Sequence, residues 1–278
     1  MKKALSLFAT AVALTVIAGT VAAGVNPPAH TDLLPTLSLA QARAVVASAS
    51  KGQAVATSVF EGVDGLVGAV YTGAGGARGI VWLTDQGNAV LDGTLLGRDG
   101  SDLTKEAMYA HGLLLTPQAA LVKALGSASR GINVGNAGPL ITVFFDPNCT
   151  YCHIFYNALT PKIAAGKVRV RYVAVGTLKP TSIPRAASIL GAPEPVKALA
   201  QDESGFDNAN EEGGFPIDAK VSDSMKAVVT SNNDLFKQTG LAGTPAILYC
   251  SKASADVQLL SGIPSDVEAF VAAATTCR

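Results

Sequence analysis

The chain has 278 residues, with 21 basic and 21 acidic side chains, so its formal net charge is zero and its mean hydropathy is positive. That balance, with basic residues scattered rather than clustered, gives no electrostatic reason to expect a nucleic acid or a membrane surface as partner. Four cysteines and 14 prolines add a cysteine framework and frequent turn signals, with length enough for two ordinary domains.

Met1-Lys2-Lys3 followed by the apolar stretch Ala4 to Ile17 and by Val21-Ala22-Ala23 has the form of an export leader cleaved after Ala23, at residues 1–23. An uncleaved anchor is the alternative, since the apolar run is nearly long enough to span a bilayer. The absence of a charged stop-transfer flank speaks against it. A Pro-containing lead-in, Asn26 to Thr36, precedes a short helix over Ser38 to Ser50. Strand-like text follows from Val59 to Tyr71. A hairpin then pairs Ile80 to Thr84 with Ala89 to Leu91 around Asp85-Gln86-Gly87-Asn88. This first region, 24–103, is expected to be a small sheet with one helix and contains no cysteine.

Residues 104–130 are expected to be a linker helix, with Thr116 as a cap and Pro117 at the first helical position. Gly131 to Pro139 reads as irregular. Leu140 to Phe145 has the composition of a buried strand, Asp146-Pro147-Asn148 turns the chain, and a helix starts at Cys149 and runs to about Ile163. Lys167 to Val175 alternates apolar and basic residues, which predicts a strand with one wetter face. From Ile183 to Thr239 the text is mainly helical, broken by a polar stretch at Glu203–Gly214. Two strands, Ala246–Tyr249 and Asp256–Leu260, precede a last helix from Ser265 to about Ala274.

Cys149-Thr150-Tyr151-Cys152 stands after a buried strand and at a helix start, which is the redox arrangement of a C-x-x-C. Unpaired N–H groups and the partial positive charge of a helix N-terminus stabilise a thiolate, so Cys149 is the expected nucleophile and Cys152, a turn further in, the shielded resolving thiol. Structural zinc would need four ligands. The other two cysteines are far apart, and His30, His111 and His153 have no ligand spacing, so no metal is expected. The dithiol itself, able to form a Cys149–Cys152 disulfide, is the only redox group required. Tyr151 and His153 are expected to modulate it; for His153 a solvated helix position is the competing reading.

Phe144-Phe145-Asp146-Pro147-Asn148-Cys149-Thr150-Tyr151-Cys152-His153, followed far downstream by Gly243-Thr244-Pro245-Ala246, resembles the DsbC/DsbG family of periplasmic disulfide isomerases. Val81 to Gly87 and Gly93 to Thr104 resemble that family's dimerisation domain. Ser182 to Leu190, Val221 to Met225 and Ser261-Gly262-Ile263-Pro264 look closer to DsbG than to DsbC. The resemblance implies an α+β or α/β chain: a cystatin-like dimerisation domain at 24–103, the linker helix, and a thioredoxin fold at 131–278 with a helical subdomain inserted at about 176–239. It also implies a homodimer, a cis Pro245, and a Thr244 that faces both sulfurs and helps to bind client. Its expected partners are exported client proteins with non-native disulfides or oxidised cysteines, and a membrane electron donor of the DsbD type. Two features depart from the family pattern. Thr150 stands where Pro or Gly is expected, and Cys250 and Cys277 are not a family pair. In a thioredoxin-like end, Cys250 and Cys277 fall on the same side, so a structural disulfide is feasible; two unpaired buried thiols are the alternative.

Three functions fit this text. The chain is expected to isomerise or reduce client disulfides, or to reduce sulfenylated cysteines. The alternatives are a monomeric oxidase and a thiol-independent holdase chaperone. A cysteine-free first domain favours the first of these, because an oxidase has no need of a dimerising base.

Overall fold

The structure, a computed structural model, describes residues 36–63, 65–126 and 131–277. The expected leader at 1–23 lies outside them. Ser38 caps α1 (Leu39–Ala49) in a reciprocal pair with Gln41, each satisfying an N–H that the helix start leaves open. Strands β1 (Ala54–Glu61), β2 (Leu66–Gly73), β3 (Arg78–Thr84) and β4 (Val90–Leu91) form an antiparallel sheet in that order. The single strand-like stretch expected over Val59–Tyr71 is thus two strands. The chain reverses between them, with Gly65 at φ +75° and the Leu66 N–H donating to the Val63 carbonyl at 2.7 Å.

The two faces of this sheet are covered differently. Ala42 and Val46 of α1 pack on Ala56, Val67, Ala69, Val81 and Leu83. Val70, Ile80 and Trp82 face the other way, against Leu103, Ala107 and Met108 of α2 (Leu103–Ala110). The Trp82 indole N–H donates to the Thr104 hydroxyl at 2.9 Å. These contacts carry the first unit past Leu103. The connector is not one helix. It breaks at Gly112, where φ is +65°, and α3 (Pro117–Leu125) begins afresh under the Thr116 cap. Leu113 still packs with the Trp82 cluster, whereas the Leu115 N–H already donates to the Gln238 carbonyl at 2.8 Å.

The second sheet is built on β6 (Leu140–Phe145), which runs parallel to β7 (Arg169–Ala174) and antiparallel to β8 (Ala246–Ser251). β5 (Gly131–Val134) flanks β7, β9 (Ser254–Ser261) flanks β8, and β10 (Ala274–Thr275) pairs with the end of β8. The irregular text expected from Gly131 therefore opens with a strand. Its Gly and Asn residues mask a ladder supplied by β7. On one face Ile141, Val143 and Phe145 meet α4 (Thr150–Ala164) and α8 (Val267–Ala273). On the other, Phe144, Val173 and Leu248 meet α3 and α7 (Asp223–Gln238). Each large apolar side chain so buried contributes roughly 1.5–3 kcal/mol.

Because both faces are covered further along, the wetter face expected for the strand after Lys167 is confined to its start, where Lys167 is exposed and Arg169 half-buried. Arg171 is 4% exposed: its Nε donates to the Ala124 carbonyl at the end of α3, and Nη1 donates to Asn133 at 3.1 Å. A guanidinium at a helix C-terminus is a favourable burial, and the alternation hides it. Between β7 and β8 the chain makes α5 (Ser182–Gly191), α6 (Pro195–Ser204) and α7.

Candidate active site

The turn after β6 delivers Cys149 to the start of α4, where it is the capping residue rather than the first helical one. Its Sγ accepts the Cys152 backbone N–H at 3.2 Å, and its thiol donates to the Thr244 carbonyl at 3.3 Å. Both cysteines are free thiols and buried, at 4% and 3% exposure. The Thr244–Pro245 bond is cis. Thr244 acts on both thiols in the direction of greater acidity.

The two thiols are polarised in opposite directions. The Cys152 side chain hydrogen-bonds to Cys149 and, with Thr244 and the backbone N–H, outweighs burial and brings Cys149 down to about 7. Burial, the same hydrogen bond and the charge of Cys149 push Cys152 well above the ordinary thiol value. Near neutral pH one sulfur is therefore half ionised while the other keeps its proton, which is the condition for ordered thiol–disulfide exchange.

A set of buried polar groups fixes this turn. Asp146, 1% exposed, accepts the Asn148 N–H with Oδ1 and the Thr177 and Leu178 N–H groups with Oδ2, at 2.7–3.0 Å. Asn148 donates to Thr181 and Ser182, both at 3.0 Å, and accepts the Gly213 N–H at 3.2 Å. Gly213 has no room for a side chain, since a Cβ would sit 2.2 Å from the Asp202 carboxylate. The segment between β7 and β8 is thereby clasped to the residue immediately before the nucleophile. Thr150, the departure in the dipeptide, donates to Glu211 of that segment at 3.4 Å.

Tyr151 is 66% exposed and Ile154, three residues further along α4, 47%, so two apolar side chains stand free in the first turns of the helix. His153 is largely buried. It stacks on Phe206 at 4.6 Å and pairs with buried Glu203 at 3.0 Å, and burial lowers its proton affinity. Cys250 and Cys277 are joined as a disulfide with Cα atoms 5.3 Å apart, remote from the dithiol and on the α3 and α7 side of the sheet. The sequence brought Cys149, Cys152, Thr244 and Pro245 together. In the sequence Asp146 and Asn148 mark only a turn, and Glu203 only the start of a polar interruption; nothing local distinguishes them.

The thioredoxin-like domain family matches residues 130–275. A thiol:disulfide interchange protein DsbG of Pseudomonas aeruginosa is 32% identical over 209 residues, spanning 74% of this chain and 78% of that protein. The DsbG of Escherichia coli is 28% identical over 236 residues, spanning 84% and 92%. A solved Helicobacter pylori DsbG is similar at 17% identity and a TM-score of 0.36, over 75% of this chain and 98% of that one. No helix among the described residues is long and apolar enough to cross a membrane. With its mixed α/β thioredoxin-like unit and its C-x-x-C at the head of α4, the chain belongs to the DsbG-type thiol:disulfide interchange proteins and is a thiol:disulfide oxidoreductase.

Proposed function

We propose that the protein is exported to the periplasm and works there as a reduced homodimer that opens non-native disulfides in client proteins. The opposite polarisation of Cys149 and Cys152 carries this reading. Cys149 thiolate attacks one sulfur of a client disulfide, a mixed disulfide forms, and the other client sulfur leaves as a thiolate. Either that thiolate attacks elsewhere and the client re-pairs, or Cys152 attacks Cys149 and releases the client reduced. A sulfenylated client cysteine enters at the same step, with hydroxide leaving and taking a proton.

Thr244 and Pro245 offer backbone beside the sulfurs on which an extended client segment docks, while Tyr151 and Ile154 give it an apolar surface. The chemistry needs no cofactor beyond the dithiol. A membrane electron donor of the DsbD type restores the thiols, and the sheet of β1–β4 supplies the dimer base.

The test combines three measurements. Thiol trapping in the intact compartment should find Cys149 and Cys152 reduced. Light scattering should give twice the chain mass, and re-pairing of a scrambled multi-disulfide client should stop with Cys149→Ser. A monomer found mainly oxidised would replace this reading with that of an oxidase. Client rescue that survives Cys149→Ser would make the protein a holdase.

A further inference from the structure

Between the end of α1 and the sheet of the first unit lies a cavity of about 440 Å³, within the size range of small-molecule sites. The sequence makes it by withholding side chains. At this end of the sheet Ala54 stands opposite Gly73, and Tyr71 stands opposite Ala56 on one strand and Gly79 on the other. The Tyr71 ring occupies the room that Gly79 leaves, since a Cβ there would meet it at 2.8 Å. Tyr71 lines the cavity together with Val46, Val81 and Val90, and exposed Ala49, the last residue of α1, stands at its edge. Ser50 is already committed, because its hydroxyl accepts the Ala54 N–H at 2.9 Å. Asp92, exposed just past β4, is the one charged side chain among the described residues of the lining; neither Lys51 nor Arg78 belongs to it.

We propose that this cavity binds a small organic ammonium ion with an apolar body. The carbon body packs against Val46, Val81 and Val90, and the cationic head lies toward the Tyr71 ring and the Asp92 carboxylate. Three interactions separate this class of ligand from others. Burial against the valines favours any apolar molecule of the right size. The aromatic ring adds to that for a cation, by attraction to its electron-rich face. The carboxylate also attracts a cation, and it repels an anion. A neutral molecule thus gains the first interaction alone, and an anion loses by the third. Binding is non-covalent and takes place in the unit that contains no cysteine, so it is separate from the dithiol reading above.

The experiment is titration calorimetry of the purified protein at low ionic strength with three probes that share a six-carbon chain: hexyltrimethylammonium, hexan-1-ol and hexanesulfonate. The cation should bind about tenfold tighter than the alcohol or more, and the sulfonate more weakly than either. Asp92→Asn should weaken the cation severalfold and leave the alcohol unchanged. Ala49→Leu places a good helix former at the edge of the cavity and fills it, so binding of cation and alcohol should both be lost. Asp92 is exposed, and its variant provides the test should Ala49→Leu fold poorly. No heat with the cation, equal affinity for cation and alcohol, or cation binding unchanged in a folded variant overturns the proposal. Thiol–disulfide exchange should proceed alike in wild type and both variants, so failure of this site leaves the exchange reading intact. Wild-type protein that binds the cation but exchanges no disulfides would remove that reading and leave this site standing.

Discussion

Replacing Cys152 by alanine deletes the side chain that does most to stabilise the Cys149 thiolate, while leaving the helix start and Thr244 in place. With Cys149 at about 7, roughly half of it is thiolate at neutral pH. A hydrogen bond to a charged group is worth about 1.5–3 kcal/mol, or between about tenfold and a hundredfold in the acid constant. In Cys152→Ala the thiolate share at pH 7 should therefore fall below about a tenth, and iodoacetamide alkylation should slow about fivefold or more. At pH 10, where Cys149 is ionised in both proteins, the rates should nearly converge. Cys152→Ser retains a hydroxyl donor at the same place and should keep most of the acidity. If the alanine and serine variants titrate alike, the Cys152 side chain is not the cause. The backbone N–H at 3.2 Å and Thr244 would then carry the effect.

Two further outcomes follow from the geometry around the site. Removing the second disulfide with Cys250→Ala and Cys277→Ala, in a background lacking the active-site thiols, should cost about 3.5 kcal/mol from the 27-residue separation it closes. It should lower the urea midpoint without changing the alkylation rate of Cys149 in the otherwise intact protein; an unmoved midpoint would show the bridge to be idle. Asn148→Ala loses hydrogen bonds to Thr181, Ser182 and Gly213 at about 1 kcal/mol each. It should expose the 203–214 segment to faster proteolysis before it lowers the global unfolding midpoint, and equal protection in both proteins would contradict the clasp.

What the sequence made legible was whatever is carried by short-range pattern. Two cysteines three positions apart at a strand–helix junction announce their chemistry, and Thr116-Pro117 announces a helix start. The hairpin at Gly87 is as plain. Features that need a distant partner were not legible. Arg171 reads as a solvent-facing residue because alternation cannot reveal that α3 lies over that face. β5 is a strand because β7 pairs with it. The turn that splits β1 from β2 is an exception, since Asp64-Gly65 is a local turn signal within that stretch. Asn148 and Gly213 are 65 positions apart, and Glu203 and His153 are 50 apart, so neither contact leaves a local trace. The disulfide was open among alternatives until the packing of α8 and β10 brought Cys277 back to the end of β8.

The junction between the two units has a mechanical consequence. Leu113 is packed into the first unit, and Leu115, two residues later, is hydrogen-bonded to the second; Leu114 fills the space against Gly240, where a Cβ would meet it at 2.8 Å. A joint of that kind has no slack. Each residue of extended chain adds at most about 3.6 Å of reach, so the units can pivot about this point but cannot drift apart. The catalytic unit is then carried like a jaw on a stiff arm rather than a weight on a string. Lengthening the joint by a few glycines would leave every packed contact intact and yet abolish the fixed reach with which Cys149 is presented.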